Sequence, residues 1–340
     1  MASTIHDVAE LAGTSIATVS RALNEPAKVR PSTRDRVLAA AQTLSFRPNL
    51  LGRQLRSVRT QLIGVVLPDV FNPVFGECMQ GIEESAAASG YRVLLMTTRY
   101  DASREAHAIG TLLSQRVDGL ILTVAKAAGH PLLDELACSG VPYQLVYNHS
   151  ATHPCVSVDN RCAARDGVRL LVAQGHRRVL MLTGDLAASD RAVQRYQGYG
   201  DALDEAGLVA EAPLQIDFNE RRLPPHILRR LTDPRDRPTA LFCGNDLLAL
   251  VVMRALRGAG VRVPADISIV GFDGLAIGEL LTPPLATVCQ PNRDIGAAAW
   301  RHLLGALEGG PTSSSILPHR IRADGTAASL LPHPPSECLP

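Results

Sequence analysis

The N-terminal residues place apolar side chains at helical spacing on both sides of a short polar turn. Thr4 followed by Asp7 has the form of a capping box, and Ser15 is a good N-cap for a second helix. Gly13 falls where a sharp turn between helices favours a residue that tolerates positive φ. The pattern predicts a helix-turn-helix over residues 4–23, whose second helix would enter a DNA major groove. The predicted inward face comprises Ile5, Val8, Leu11, Ala12, Val19 and Leu23.

A third helix is predicted to begin near Pro31, where Ser32 and Asp35 have a second capping-box spacing. Pro48 then interrupts the helical pattern, because the residue before a proline avoids the α region. Residues 49–56 could form one more short helix, which would need DNA or a second copy of itself to persist in water. The predicted apolar face of the third helix comprises Val37, Leu38, Ala41 and Leu44.

From Leu62 onward, uninterrupted apolar runs of strand length alternate with helical stretches. This alternation indicates parallel sheets that are covered by helices on both faces. Strands are predicted at residues 62–67, 91–96, 118–122, 143–147, 155–158, 178–182, 214–217, 240–243 and 267–271. Helices are predicted at residues 73–89, 103–115, 131–139, 161–174, 190–206, 223–231 and 245–258.

Two successive doubly wound halves of similar size fit this series better than one very wide sheet. The expected fold class is therefore an all-α helix-turn-helix headpiece followed by an α/β core of two doubly wound parallel-sheet subdomains. The junction between the halves is expected near residues 150–160. Because ligands bind outside the carboxyl ends of parallel strands, the cleft between the halves is the expected ligand site.

Polar residues follow several of the predicted strands. Each Asp or Asn taken singly could cap the helix that follows it. Taken as a set, amides, carboxylates and one guanidinium can both donate to and accept from many hydroxyl groups, and they predict a ligand site. The set comprises Asp69, Asn72, Asn148, Arg195, Asn245, Asp246, Asp273 and Gln290.

Charge is distributed unevenly along the chain although the net charge is only +1. Residues 1–60 contain nine Lys or Arg against four Asp or Glu, so the rest of the chain is net acidic. The asymmetry places the charge that attracts phosphate at the N-terminus, which is typical of a nucleic-acid binder.

The remaining composition excludes several other classes of protein. With 46% hydrophobic residues the chain can bury substantial cores, and its seven scattered cysteines form no C-x-x-C pair, which predicts reduced, mostly buried thiols rather than zinc or disulfides. No apolar run reaches the roughly 18–20 uncharged residues of a membrane span, and no signal peptide is recognisable, so we expect a cytoplasmic protein. The last thirty residues look loop-like and carry no leucine heptad.

Two other function classes fit the sequence less well. An enzyme of the doubly wound class would be expected to show a phosphate-binding glycine loop or a G-x-S-x-G elbow, and neither is present. A free periplasmic sugar receptor would have a signal peptide and no basic N-terminal segment. We therefore expect neither catalysis nor a cofactor or metal.

The whole chain from residue 4 to about 327 resembles LacI-type bacterial transcriptional repressors. The resemblance implies a headpiece, a hinge helix and a core like the type I periplasmic sugar-binding proteins, acting as a homodimer on a palindromic operator. The motifs that carry it are Asp7-Val8-Ala9, Ala12-Gly13, Thr18-Val19-Ser20-Arg21, Leu23-Asn24, Arg47-Pro48-Asn49, Gly175-His176-Arg177-Arg178 and Val270-Gly271-Phe272-Asp273.

The resemblance assigns DNA contacts to the headpiece and hinge. Arg21 would read guanine through a bidentate contact worth about 1–3 kcal/mol of discrimination, and Ile16 and Ala17 would offer only apolar contact, for instance to thymine methyls. Leu55 corresponds to a wedge that enters the minor groove, although it could also be an ordinary hinge-packing leucine. The residues implied to contact DNA are Thr4, Ser15, Ile16, Ala17, Thr18, Ser20, Arg21, Asn24, Asn49, Arg53 and Leu55.

The resemblance also assigns an effector site to the core. The run from Asn72 to Phe75 resembles a motif that supplies an amide and aromatic faces to a sugar, but Val74 replaces one aromatic, so hydrogen bonds should dominate. His149 stands where related receptors often have arginine. The residues implied to bind effector are Asp69, Asn72, Phe75, Asn148, His149, Arg195, Asn245, Asp273 and Gln290.

The function implied is a repressor whose operator binding is controlled by a small sugar or sugar derivative. A corepressor such as a nucleobase, acting through the same architecture, remains the alternative. Bound to its operator, such a protein is associated with the nucleoid. The implied division is a headpiece (1–47), a hinge (48–60), an N-subdomain (61–159 and 291–318), a C-subdomain (160–290 and 319–329) and a flexible tail (330–340).

Overall fold

The computed structural model of the chain describes residues 3–46, 59–217 and 222–330. It divides the chain into two compact units, Met1–Thr60 and Gln61–Pro340. The predicted hinge helix at residues 49–56 and the predicted tail beyond Leu330 lie outside the described residues.

In residues 3–46, the first unit is a bundle of three short helices around a core of small apolar residues. The helices are α1 (Ile5–Leu11), α2 (Ile16–Asn24) and α3 (Pro31–Thr43), with a 3-10 turn at Pro26–Lys28. The core is built from Val8, Ala9, Ala12, Val19, Ala22, Val37, Ala40 and Ala41.

The predicted start signals of the first two helices are confirmed. Thr4 accepts from the backbone N–H of Asp7, and the Asp7 carboxylate accepts from the backbone N–H of Thr4 at 2.7 Å. Ser15 accepts from the N–H of Thr18 at 3.2 Å, and Gly13 in the turn has φ +61°. These signals can be read from sequence because cap and partner are only three residues apart.

Three predictions for this unit are wrong. The Ser32–Asp35 capping box does not form, because α3 begins at Pro31, whose fixed φ suits the first helical position, and Arg30 is therefore the N-cap residue in place of Ser32. Leu11 and Leu38 are 54% and 46% exposed instead of buried. Helical geometry explains Leu38: it lies about 100° around the axis from Val37, so turning Val37 inward points Leu38 to solvent.

The described residues of the second unit form two six-stranded sheets. All neighbouring strands are parallel except the pair β10 and β12. In the order of the first sheet, the strands are β11 (Ser315–Ile316), β5 (Cys155–Ser157), β4 (Tyr143–Val146), β3 (Gly119–Leu122), β1 (Leu62–Leu67) and β2 (Arg92–Thr97). In the order of the second sheet, they are β12 (Arg320–Arg322), β10 (Ala286–Cys289), β9 (Ser268–Asp273), β8 (Ala240–Cys243), β6 (Val179–Thr183) and β7 (Leu214–Gln215).

Helices cover these sheets. They are α4 (Pro73–Ala88), α5 (Ala102–Ser114), α6 (Pro131–Ser139), α7 (Asn160–Ala173), α8 (Asp190–Glu205), α9 (Pro225–Thr232), α10 (Asp246–Gly258) and α11 (Asn292–Leu307), with a 3-10 turn at Ala276–Leu280. Strands β3, β4, β6 and β8 are buried along their whole length, as expected between helical layers. The predicted fold class is confirmed. No helix within the described residues is long and apolar enough to span a membrane.

The chain crosses between the two sheets three times. It leaves the first sheet after β5, returns after β10 to form α11 and β11, and crosses again to end in β12. The prediction that the last thirty residues are loop-like is therefore wrong at β11 and β12. These strands are only two and three residues long, and their pairing with distant strands, not local propensity, creates them.

The returning helix α11 lies directly against α4. A Cβ on Gly296 would overlap the carbonyl oxygen of Cys78, and a Cβ on Gly81 would overlap that of Arg293. Both glycines are therefore needed for the two backbones to approach this closely. The contact fixes the C-terminal segment to the first sheet.

Replacing Gly296 by alanine should therefore destabilise the core by about 1–3 kcal/mol, the usual cost of overpacking. The free energy of unfolding in urea measures the effect. Gly305→Ala in the same helix is the matched control, because nothing lies within 4 Å of a Cβ there. It should be neutral or stabilise by up to about 1 kcal/mol through helix propensity. Equal effects of the two substitutions would contradict the packing argument.

Candidate functional site

The outer face of α2 combines apolar and cationic groups that no core contact requires. Val19 and Ala22 point inward, whereas Ile16, Ala17 and Arg21 are exposed. The Arg21 side chain makes no hydrogen bond or ion pair with the described residues, and Ile16 is 37% exposed. A free guanidinium beside exposed apolar groups suits the edges of bases in a major groove.

The other predicted DNA contacts of the headpiece have local roles as well. Thr4 and Ser15 are exposed and cap α1 and α2, and the Ser15 and Thr18 hydroxyls are 2.9 Å apart. Ser20 is half-buried. Four further predicted DNA contacts have side chains that lie outside the described part of the structure: Asn24, Asn49, Arg53 and Leu55.

In the core, a small polar cavity of about 40 Å³ lies where strands of both sheets end. Six of the nine predicted effector residues line it: Asn72, Phe75, Arg195, Asn245, Asp273 and Gln290. The sequence had predicted convergence because carboxyl ends of parallel strands meet at one edge of a sheet.

Eight further residues line the cavity that sequence reasoning had not assigned to it. Thr183 ends β6 and Ser189 caps α8, so a systematic search of strand ends and helix caps would have found both. Arg191 had no such signal, because it lies inside a helical pattern. The eight residues are Val74, Tyr100, Tyr147, Thr183, Ser189, Arg191, Ala192 and Gly244.

A second, larger cavity of about 700 Å³ adjoins the first. Asn72, Tyr100 and Asn245 line both cavities. The larger cavity also contains Asp69, another predicted effector residue. Ligand pockets commonly measure about 300–1,000 Å³, so a ligand held by the small cavity in this conformation must extend into the large one.

Arg195 is the central charged group of the small cavity. Its Nε donates to Asn160 Oδ1 at 2.9 Å and its Nη1 donates to the carbonyl oxygen of Gly244 at 2.6 Å. The guanidinium lies 3.6 Å from the centre of the Phe272 ring, and Nη1 is also 3.6 Å from Asp273 Oδ1. Burial lowers the pKa of Arg195 to about 10, so the group remains a cation at neutral pH.

Asp273 ends β9 in a backbone conformation that few residues adopt. Its φ is +127°, and the neighbouring amides hold it: Gln290 Nε2 donates to Oδ1 at 2.9 Å and Asn292 Nδ2 donates to the Asp273 carbonyl at 3.3 Å. Burial raises the pKa of Asp273 to about 7, although Arg195 opposes the shift. Near neutrality this carboxyl group can therefore either accept or donate a hydrogen bond.

Asn72, Ser189 and Asn245 cap the helices α4, α8 and α10. The Asn72 and Asn245 side chains accept from backbone N–H groups through Oδ1 at 3.2 and 2.7 Å. Their Nδ2 groups have no partner among the described residues. The two predicted roles of these asparagines, helix cap and ligand contact, are therefore compatible. Each caps a helix with its side-chain oxygen and presents its amide N–H donors to the cavity.

Asp246 belongs to the scaffold of the cleft. Its buried carboxylate accepts from the Thr287 hydroxyl at 2.6 Å and from the Leu275 N–H at 2.8 Å. Burial raises the pKa of Asp246 to about 6. It lines neither of the two cavities.

Asn148 and His149 are not brought to either cavity. His149 is exposed, whereas the buried Asn148 amide accepts from Val124 N–H at 3.0 Å and donates to Asp190 Oδ2 at 2.8 Å. The same carboxylate oxygen accepts from Ala127 N–H at 3.3 Å. Asn148 follows the first sheet and Asp190 begins a helix of the second, so these hydrogen bonds join the two lobes across the cleft.

Comparison with known proteins assigns both units. Residues 4–49 match the family described as bacterial regulatory proteins, lacI family. Residues 60–323 match the family described as periplasmic binding proteins and sugar binding domain of LacI family. The chain belongs to the LacI family of bacterial regulatory proteins. Its class of function is DNA-binding transcriptional regulation, as the sequence predicted.

Individual relatives are similar to this chain over nearly its whole length. Catabolite control protein A of Priestia megaterium is 34% identical over 94% of this chain and 97% of its own length. The transcriptional repressor CytR of Escherichia coli is 34% identical over 91% of each protein. A crystal structure of the Lac repressor dimer bound to operator and the anti-inducer ONPF is 30% identical, with a TM-score of 0.85 over 97% of this chain and all of that one.

The raised pKa of Asp273 predicts a pH dependence of stability. Between the ordinary value of 3.8 and about 7, the folded protein keeps a proton on Asp273 that the unfolded chain has released. The contribution of this group to the free energy of unfolding should therefore fall as pH rises through that window and level off above it.

The variant Asp273→Asn should lose this contribution and gain stability relative to the wild type as pH rises from about 4 to about 7. Unfolding free energies across that range measure the difference. Asp204→Asn, at an exposed carboxylate, is the control and should keep the wild-type profile. Parallel profiles for wild type and Asp273→Asn would show that the Asp273 carboxyl group does not titrate in this window.

Proposed function

We propose that this LacI-family regulator is a homodimeric repressor that binds a palindromic operator and responds to a small sugar or sugar derivative in the core cleft. The observation that carries the proposal is the combination in one chain of an exposed recognition face on α2 and a buried polar set between two lobes. A corepressor such as a nucleobase is the alternative effector, because the same polar groups could hold its amide-like edges.

On the DNA side, Ser15, Thr18, Ser20 and Asn24 set the position of α2 on the phosphates, with Thr4 beside them. Ile16, Ala17 and Arg21 face the bases. Phosphate contacts of this kind fix register, whereas base contacts select the sequence. The Lac repressor, which resembles this chain over almost its full length, binds its operator as a dimer, and this supports the same arrangement here.

The proposed division of labour follows the predicted boundaries. Residues 1–47 bind DNA, and residues 48–60, including Asn49, Arg53 and Leu55, form the hinge at the centre of the operator. Residues 61–329 bind effector and form the dimer. The protein acts in the cytoplasm, on the nucleoid when bound to operator.

On the effector side, Asn72, Arg195, Asn245, Asp273 and Gln290 form the hydrogen-bonding set, and Phe75 supplies one aromatic wall. The description of the matching family as a sugar binding domain supports a sugar-like ligand. The core binds and releases this ligand unchanged and does not catalyse a reaction. Asn148 holds the two lobes together, a role different from the ligand contact first predicted for it.

Effector binding alters operator affinity by favouring one relation of the two lobes. The coupling free energy of such systems is typically about 1–3 kcal/mol, and operator must alter effector affinity by the same factor. The hydrogen bonds of Asp190 to the first lobe are among the contacts that a change in lobe position would break or make.

Arg21→Ala should abolish operator preference, with a loss of about 1–3 kcal/mol of discrimination between the operator and a variant carrying the wrong base. Effector affinity should be unchanged, because Arg21 lies in the separate first unit. Electrophoretic or fluorescence titrations with both DNA sequences measure this. His6→Ala, at an exposed position of α1, is the control. Undiminished discrimination would exclude Arg21 as the base-reading residue.

Arg195→Gln should remove the effector response and leave operator binding intact. The substitution deletes the charge held over Phe272 and leaves a shorter, neutral side chain that can still donate a hydrogen bond. Operator titrations with and without a sugar that stabilises the wild type measure the response, and retained operator binding shows that the variant folds. A normal response in this variant would place the effector elsewhere.

A further inference from the structure

Arg191 brings a second guanidinium to the small cavity. The residue is 6% exposed and lines the cavity beside Arg195. Both of its hydrogen bonds leave from one nitrogen: Nη1 donates to the Val124 carbonyl at 3.1 Å and to Asp190 Oδ1 at 3.3 Å. The Nε and Nη2 groups have no partner among the described residues.

The free Nε–Nη2 edge of Arg191 has a specific chemical use. Its N–H groups are parallel and match two oxygens of one carboxylate or phosphate. Both forked edges of Arg195 are already engaged, because its Nε donates to Asn160, and its Nη1 donates to Gly244 and lies 3.6 Å from Asp273 Oδ1. Arg191 is therefore the guanidinium of this cavity that can form a bidentate contact with a ligand.

The rest of the cavity is also rich in donors. The Nδ2 groups of Asn72 and Asn245 are unused, and the helices α4, α8 and α10 all begin at the cavity wall. Helix N-termini carry partial positive charge and favour anions. Gln290 Oε1 is buried without a partner, so at least one acceptor is available for a hydroxyl group of the same ligand.

The fixed carboxylates offset part of this positive charge but leave the Nε–Nη2 edge of Arg191 open. Asp190 Oδ1 lies 3.3 Å from Arg191 Nη1, and its other oxygen accepts from Asn148 and Ala127. Asp273 faces Arg195 at 3.6 Å, and burial raises its pKa to about 7, which reduces its negative charge near neutrality. The proximity of Arg191 also contributes to the lowered pKa of Arg195, so an anion near both guanidiniums would relieve their repulsion.

From these contacts we propose that the effector carries an anionic oxygen group, a carboxylate or a phosphate, and that Arg191 binds it through its Nε–Nη2 edge. The inference rests on the proposed function, because it specifies the ligand of the same cleft. Hydroxyl groups of the ligand bond to Asn72, Asn245 and Gln290, and its remainder occupies the larger cavity.

Inorganic phosphate is the first probe. Its affinity for the full-length protein is measured by calorimetry and by thermal shift, against sodium chloride at equal ionic strength. Arg191→Gln should weaken phosphate binding about ten- to hundredfold. The affinity of Arg191→Lys should lie between those of the wild type and Arg191→Gln, because an ammonium keeps the positive charge but lacks the two parallel N–H groups of a guanidinium. Arg301→Gln, at an exposed arginine of α11, should behave as wild type. Equal phosphate affinity in wild type and Arg191→Gln overturns the proposal.

The affinities of paired ligands that are similar in shape but differ in charge then test whether the negative charge itself is recognised. Glucuronate is compared with glucose and ribose 5-phosphate with ribose, and the preferred pair distinguishes carboxylate from phosphate. The wild type should favour the anionic member of at least one pair, and Arg191→Gln should lose that preference. The ratio of the affinities for the anionic and neutral members of a pair would not change if Arg191 only held the lobes together. Neutral members that bind as tightly as their anionic counterparts overturn the proposal.

Operator titrations keep this inference distinct from the proposed function. If a neutral sugar changes operator affinity through Arg195 and independently of Arg191, the function stands and the inference fails. If anions bind through Arg191 without any effect on operator affinity, the site stands and the proposed function fails.

Discussion

The buried cation of Arg195 is the constraint around which the cleft is built. A guanidinium removed from water must find acceptors, and here α7 supplies the side-chain oxygen Oδ1 of Asn160, the end of β8 the backbone carbonyl of Gly244, and β9 the Asp273 carboxyl group and the Phe272 ring. These three elements are separate in sequence and all belong to the second lobe. Satisfying one charge therefore aligns the strand ends that form the cavity wall, and the positive φ of Asp273 is tolerated within that alignment.

A second set of polar contacts decides how the lobes meet. Asp190 begins α8 in the second lobe, yet its carboxylate and its backbone N–H bond to Asn148, Ala127 and Ala125 of the first. Such hydrogen bonds contribute modestly on balance, about 1 kcal/mol each, so a ligand in the adjacent cavity can compete with them. The two lobes are thus joined here by several hydrogen bonds, each of which contributes little by itself.

The two units of the chain differ in the size of their cores and in where they place their polar groups. The headpiece has a small core of valines and alanines, and it leaves Ile16 and Arg21 exposed on α2. The core buries whole strands between helices and concentrates its polar groups at the strand ends. A regulator of the LacI family needs both, because one unit selects a DNA sequence and the other reports on a small molecule.

Local sequence determined the helix caps at Thr4 and Ser15, the turn at Gly13 and the succession of strands, because each depends on residues a few positions apart. It also indicated Asn72, Asn245 and Asp273, which follow strands whose ends must converge. Tertiary structure alone decided the contacts of Asn148 and Arg191 and the return of α11 to the first sheet. Asn148 meets Asp190 across 42 residues, and Asn292 meets Glu77 across 215. Contacts of that separation depend on how layers pack, and no local pattern of hydrophobic and polar residues encodes them.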